Sequence, residues 1–474
     1  MTIDLSTVTF TKGADIVPVS GKDDIVNTGT ANTLDGNDTI TGTANPLKIY
    51  SSTPGSAYGI YNTGTLNTAG GKDIITGTGG GGIYNTGTFN TAEANDIITA
   101  DAMYVFNGIV NSGTLNTAEG DDTITAAGWF GGGDGIVNTG TFNTAEGNDI
   151  ITVWGKERGI YHSAGKFDTA NGNDTITGSA SNAQGISIAD GSILDTGNGD
   201  DRIRGESGKN TGIYNASITF NTGNGNDTIE GTGGFYGIHN KGLINTGLGK
   251  DTIIAKGGIL SDGAYGRGLY NISTIDTGRG DDIITGSGGI ENYGTIGTGD
   301  GDDTITGILT GFSNQPNPIN GISNKGTIDT GKGNDSIFAD ISLIIGTDGT
   351  INTGDGNDTI TSSKGTQNDG NINTGNGADF VIANGGFSGT GSVSLGSGND
   401  SLKGFGTGKF HGGDNQDTLE LTSGTYTVEI ISKTTVSFTN NSGDIMYASE
   451  FEKLVAGKIM YNFSKLSQGQ KIIV

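Results

Sequence analysis

The chain has 474 residues, with 90 glycines, 5 prolines, no cysteine, and 25 basic against 51 acidic side chains, a net charge of -26. That balance argues against a nucleic-acid partner, which needs the opposite sign, and without cysteine there is neither a disulfide framework nor a thiolate metal site. Hydrophobic residues make up 32%, too few for a thick globular core but enough to line a narrow tube in which each turn of chain buries a few side chains.

Residues 1–37 read as an amino-terminal cap and first coils. They lack a basic segment followed by an apolar run, so no conventional cleavable signal peptide is expected, and no run of 18 apolar residues is present anywhere to span a membrane. A marker aspartate then recurs along the chain, at Asp15, Asp24, Asp38, Asp73, Asp96, Asp122, Asp149, Asp174, Asp201, Asp227, Asp251, Asp282, Asp303, Asp335, Asp358, Asp379, Asp400 and Asp417. Each has an aliphatic residue two places on, as in Ile75, Ile229 and Leu419. From Asp73 to Asp400 there are 13 steps over 327 residues, a period of about 25 that falls in the range of solenoids and arrays.

The stretch from Gly59 to Gly77 shows one repeat. Three short β-prone pieces, Ile60-Tyr61-Asn62, Thr65 to Thr68 and Asp73 to Thr76, are separated by Gly64 and by Ala69-Gly70-Gly71-Lys72. Alternation puts Ile60, Leu66 and Ile75 inside. Stacking like on like predicts an all-β fold, a right-handed parallel β-solenoid of about 16 coils over residues 38–417. Two columns of amides support the stack. One runs through Asn62, Asn85, Asn111, Asn138, Asn215, Asn240, Asn271, Asn292 and Asn324; the other begins Asn67, Asn90, Asn116, Asn143 and takes in Asp168 and Asp195.

Coil length varies mostly between the third piece and the next Gly-Ile, and Pro46, Pro54, Pro316 and Pro318 fall in those insertions. The same edge carries Tyr104, Trp129 and Trp154 at intervals of 25, with Phe106 and Phe130 adjacent. Such a stripe either stacks on sugar rings of a surface polysaccharide or packs loop on loop.

The turn before each marker is best seen from Asn221 to Gly231, where Gly223 and Gly225 flank Asn224 ahead of Asp227. Glycines permit positive φ and close backbone approach, so carbonyls and a carboxylate can surround a hard cation. One loop cannot supply six to eight oxygens, but two stacked loops can. The alternative is a metal-free turn whose aspartate caps backbone amides.

This turn resembles the RTX family of bacterial calcium-binding repeats, with nonapeptide G-G-x-G-x-D-x-U-x. Gly223, Gly225, Asp227 and Ile229 match its later positions, and Thr222 stands at the first. The resemblance implies a column of Ca2+ held at Asp201, Asp227, Asp251, Asp282, Asp303, Asp335, Asp358, Asp379 and Asp400. Copies at Asp122, Asp149 and Asp174 are included, although the earlier turns drift: Ala92-Glu93-Ala94 has lost both glycines, and Glu93, Glu119 and Glu146 offer carboxylates instead. Whereas the family places its nonapeptides in tandem, one copy here occupies a longer coil.

Residues 418–474 leave the repeat. Thr425 to Ile430 and Thr435 to Phe438 read as antiparallel strands, with Phe451 to Leu454 close behind, a cap for the open end of the tube. The tail also looks like the uncleaved export region of RTX proteins, which implies type I secretion to the cell exterior.

A catalytic site is not expected, since His162, His239 and His411 are scattered and no nucleophile or acid/base group stands out. Ice binding would need a regular column, but the turn position that should carry it holds Asn224, Leu248, Arg279, Asp300 and Lys332. Thr65, Thr88, Thr114 and Thr141 make only a partial ladder. The expected role is a calcium-stabilised structural protein that self-associates into a layer or fibril.

Overall fold

The computed structural model describes residues 2–18, 24–45, 57–259, 266–309 and 320–474. These form two units, Met1–Gly247 with Ile254–Gly266, and Leu248–Ile253 with Arg267–Val474. The fold is the right-handed parallel β-solenoid that the repeat predicts, nearly all β and of about 15 turns. No α-helix occurs among the described residues, and none is long and apolar enough to cross a membrane.

In the first unit one coil comprises Tyr58–Asn62, Thr65–Asn67 and Ile74–Gly79. Each strand pairs in parallel with its copy in the next coil, Ile60 with Ile83, Leu66 with Phe89 and Ile75 with Ile98. These short alternating segments form strands because β-branched and aromatic residues pack well on a half-buried pleat. Ile60 and Leu66 are 0% exposed and Ile75 1%, and full burial of such a side chain stabilises by about 1.5–3 kcal/mol. Phenylalanine takes the Leu66 position in several coils, and Phe142 and Phe167 stack with centroids 4.4 Å apart.

The recurrent Gly-Ile has a steric cause. A Cβ on Gly82 would meet the Gly108 carbonyl oxygen at 2.5 Å and the Ala100 Cβ at 2.8 Å, so the bend from the third strand into the next coil has no room for a side chain. The insertions at this bend include Pro46, Pro54, Pro316 and Pro318, which lie outside the described residues.

In the second unit, Ile296, Ile328, Ile351 and Ile372 align in one sheet, and Ile305, Ile337, Ile360 and Val381 in another. The cap has the expected antiparallel character: Thr425–Ile430 pairs with Thr435–Thr439, which pairs with Ile445–Ser449. The third expected piece differs. The strand there is Lys453–Ala456, which continues the parallel stack on Thr418–Leu421 before Ile459–Asn462 folds back along it.

Both amide columns exist, and they hydrogen-bond in opposite senses. In the buried one, Nδ2 of Asn62 donates forward to Oδ1 of Asn85 at 2.7 Å, and Asn85 likewise to Asn111 at 2.8 Å. In the outer one, Asn67 donates backward to Asn32 at 2.9 Å, and Asn90 to Asn67 at 2.8 Å.

Candidate functional site

The turn has the backbone that its glycines suggest. Gly223 and Gly225 have φ of +88° and +148°, values that an L side chain rarely adopts. A Cβ on Gly225 would also lie 1.9 Å from the Gly199 carbonyl oxygen of the coil beneath. The drifted copies keep this shape without glycine: Ala92 has φ of +65° and Ala94 of +126°, at about 1–3 kcal/mol of strain for each such residue.

The marker aspartates turn inward. Asp122, Asp149, Asp174, Asp227, Asp303 and Asp400 are each 1% exposed, Asp201 and Asp335 2%, and Asp251, Asp282, Asp358 and Asp379 0%. One oxygen of each is tied to the stack. In the first unit the backbone N–H of Asp96 donates to Oδ1 of Asp122 at 2.7 Å, and the series continues through Asp149, Asp174, Asp201 and Asp227 at 2.8 Å per step. In the second unit Asp251 donates to Asp282, Asp282 to Asp303, Asp303 to Asp335, Asp335 to Asp358, Asp358 to Asp379 and Asp379 to Asp400, each at 2.8 Å. The series ends where the Asp417 N–H reaches Oε2 of Glu452 at 2.8 Å. The aspartates therefore cap backbone amides, as the metal-free alternative supposes, but with one oxygen only.

The second oxygen is different. Oδ2 of Asp122, Asp149, Asp174 and Asp201, and of Asp282, Asp303, Asp335, Asp358, Asp379 and Asp400, is buried without a hydrogen-bond partner. The threonine five residues before most markers, such as Thr117 before Asp122, lies beside the carboxyl and lowers its pKa, whereas Leu395 stands there before Asp400. That hydroxyl has a single hydrogen, and the Thr144 carbonyl of the next coil, 3.5 Å away, competes for it.

Burial dominates the titration. Desolvation pushes Asp73, Asp174, Asp282, Asp335 and Asp400 up to about 7, and Asp122 and Asp201 to about 8. Neighbouring aspartates in the column raise them further, and the backbone N–H bonds oppose the shift. Asp149 and Asp303 reach about 6, and Asp358 and Asp379 are raised for the same reason. Moving a carboxyl from 3.8 to about 7 disfavours its ionised form by about 4 kcal/mol. Four such penalties would match the about 5–15 kcal/mol that separates folded from unfolded domains. A column of bare carboxylates is therefore disfavoured, and a proton or a cation at Oδ2 would relieve it.

The carboxyls alone do not form a cation cage: among the described residues no group of three or more His, Cys, Asp or Glu is placed to hold a metal. A cation here would rest on Oδ2 atoms of successive coils, with turn carbonyls completing its oxygen shell. Glu93, Glu119 and Glu146 are exposed, unlike the buried marker aspartates.

The aromatic edge packs on itself. Trp129 and Trp154 stack with centroids 4.5 Å apart and planes at 26°, so their facing surfaces are closed to a sugar ring, while Tyr104 is 41% exposed in the preceding coil. The threonine ladder is in register, Thr30 with Thr65, Thr65 with Thr88, Thr88 with Thr114 and Thr114 with Thr141, until Lys166 follows. The histidines stay apart in role. His162 is buried in the inner amide column, His239 packs edge-on against Tyr214, and His411 Nδ1 lies 2.6 Å from Ser449 Oγ in the cap region.

Two features escape a reading of the sequence. The threonine before most markers looks like a departure from a glycine motif, yet Thr222 is 0% exposed and part of the column; its recurrence at one offset is the signal. His162 occupies an asparagine position, which only its alignment one coil after Asn138 betrays. A scan of the chain against protein-family models finds no match, and a search of curated proteins finds none.

Proposed function

We propose that this solenoid is a structural protein of the cell exterior, stabilised by Ca2+ along its aspartate corner and able to assemble with copies of itself into a layer or fibril. The observation that carries the calcium reading is the buried Oδ2 left without a partner coil after coil, in a turn whose glycines bring backbone carbonyls close. A net charge of -26 adds to it, since divalent ions at the corner relieve a self-repulsion that protons cease to relieve as pH rises above about 8. Asp122, Asp149, Asp174, Asp201, Asp227, Asp251, Asp282, Asp303, Asp335, Asp358, Asp379 and Asp400 would hold the ions, with Gly223, Gly225 and their counterparts shaping the backbone. Export by type I secretion and a place at the surface rest on the resemblance to RTX repeats. A polysaccharide partner is less favoured, because the two tryptophans face each other, and no catalytic role is proposed.

The test is a thermal melt followed by circular dichroism at pH 8, in chelator and then in millimolar Ca2+, with calorimetry for stoichiometry. Saturating ligand at 100 times Kd stabilises by about 2.7 kcal/mol per site, so a clear rise in Tm with several ions bound is expected. An unchanged Tm and no heat of binding would sink the calcium reading. Electron microscopy showing only dispersed monomers in calcium would remove the assembly part.

A further inference from the structure

The buried amide column of the first unit is polarised. From Asn27 to Asn138, each Nδ2 donates to the next Oδ1, at 2.8 Å between Asn27 and Asn62 and again between Asn111 and Asn138. From Asn62 onward each also has a second bond, to the carbonyl that opens the following coil's second strand, such as Asn85 to Thr114 at 2.8 Å. His162 takes the next position and reproduces both contacts with a ring. Its Nδ1 lies 3.2 Å from Asn138 Nδ2, and its Nε2 lies 2.8 Å from the Ile193 carbonyl oxygen. A carbonyl can only accept, so Nε2 carries the hydrogen; Nδ1 then accepts from Asn138, and the neutral ring satisfies every partner. The following coil offers Ile188, which can neither donate nor accept.

We propose that His162 is an acid-sensitive break built into this column: a proton on Nδ1 opens the coil that carries it. The added N–H would face the side-chain N–H of Asn138 in a site only 1% exposed, and the nearby Asn138 and Gly165 carbonyls already accept from the backbone N–H groups of Ser163 and Ile193. Rotating the Asn138 amide would present its oxygen instead, but that oxygen already accepts from Asn111. The mismatch would pass back coil by coil, and each turned amide would set an oxygen against a carbonyl. The column resists protonation as a unit, so the proton is accepted by local opening.

Burial lowers the pKa of His162, and carbonyls of Ile193, Asn138 and Gly165 offset part of that. The sign follows: with a depressed folded pKa, the neutral ring's contribution is present above the unfolded value near 6.5 and is lost as pH falls toward the folded pKa. Charged groups on the packed strands lie on their outer faces. Lys166 pairs with Asp168 on the next strand, Asp195 follows one coil later, Asp190 is in the turn after Ile188, and Arg158 lies over the Tyr161 ring while pairing with Asp134. The aspartate corner titrates in the opposite sense, tightening as pH falls, so it cannot produce a loss of protection at this coil.

The experiment is hydrogen exchange on the full chain in chelator, read by mass spectrometry from pH 7.5 to 4.5 and corrected for intrinsic rates. Peptides covering 158–168 are compared with those covering 211–221, where Asn215 fills the same column position. Protection over 158–168 should fall at least tenfold relative to 211–221 in the wild type. His162→Asn, which can make the same two bonds, should abolish that difference, and so should His162→Gln. Equal pH dependence of the two segments in the wild type would overturn the proposal, as would a difference that persists in a folded variant.

Discussion

Replacing Asp122 by asparagine separates a corner held by protons from one held by cations. The substitution keeps the Oδ1 that accepts the Asp96 N–H at 2.7 Å and removes the charge at the buried second oxygen. The folded carboxyl sits at about 8 against an ordinary 3.8; those roughly 4 units mean that at pH 8.5 ionisation opposes folding by at most about 6 kcal/mol. Against the relief stands the new amide hydrogen pair, whose burial without a full set of acceptors costs about 1–3 kcal/mol. Asp122→Asn should therefore stabilise the chelated protein by about 2–4 kcal/mol at pH 8.5 and lose that advantage by pH 5, where the wild-type carboxyl is protonated. In saturating Ca2+ the sign should reverse, because a ligand has gone. Urea denaturation at both pH values, with and without calcium, measures all of this. Destabilisation in chelator at pH 8.5 would refute the buried-charge argument, and identical behaviour in calcium would refute the ion.

Three further outcomes are expected. The metal-free wild type should gain stability as pH falls from about 8 toward 4, since carboxyls with raised folded pKa values, such as Asp73 and Asp335 at about 7, favour folding fully below the unfolded value and lose that contribution as pH rises through the folded one; a chelated melt at several pH values reads it, and calcium should flatten the profile above pH 7. Ala94→Gly should raise stability by about 1 kcal/mol in urea, because φ of +126° strains alanine by more than the unfolded-chain entropy that glycine adds. Phe142→Ala should lower it by about 3–5 kcal/mol, since the ring is 0% exposed and stacked on Phe167, and denaturant midpoints compared across the two variants check both.

Much of the architecture is legible because a repeat exposes the same decision many times over. The alternation at Ile60, Leu66 and Ile75 appears in coil after coil, and a pattern that would be ambiguous once is decisive in series. The direction of the marker aspartates is less legible. Glycine and aspartate together suit either a cation turn or a cap on backbone amides, and it is N–H groups one coil away that draw Oδ1 of Asp282 or Asp358 into the wall. A partner some 25 residues distant leaves no local trace. The aromatic spacing is likewise visible, while whether Trp129 meets a ligand or Trp154 depends on loop paths that side-chain periodicity does not encode.

The opposed directions of the two amide columns matter for the field along the first unit. A single file of aligned amides would add its moments head to tail, leaving one end positive and the other negative and inviting counterions there. Asn62 pointing toward Asn85 while Asn90 points back toward Asn67 sets the two files against each other, so the coils that carry both add less axial polarity from their side-chain amides than either file would alone.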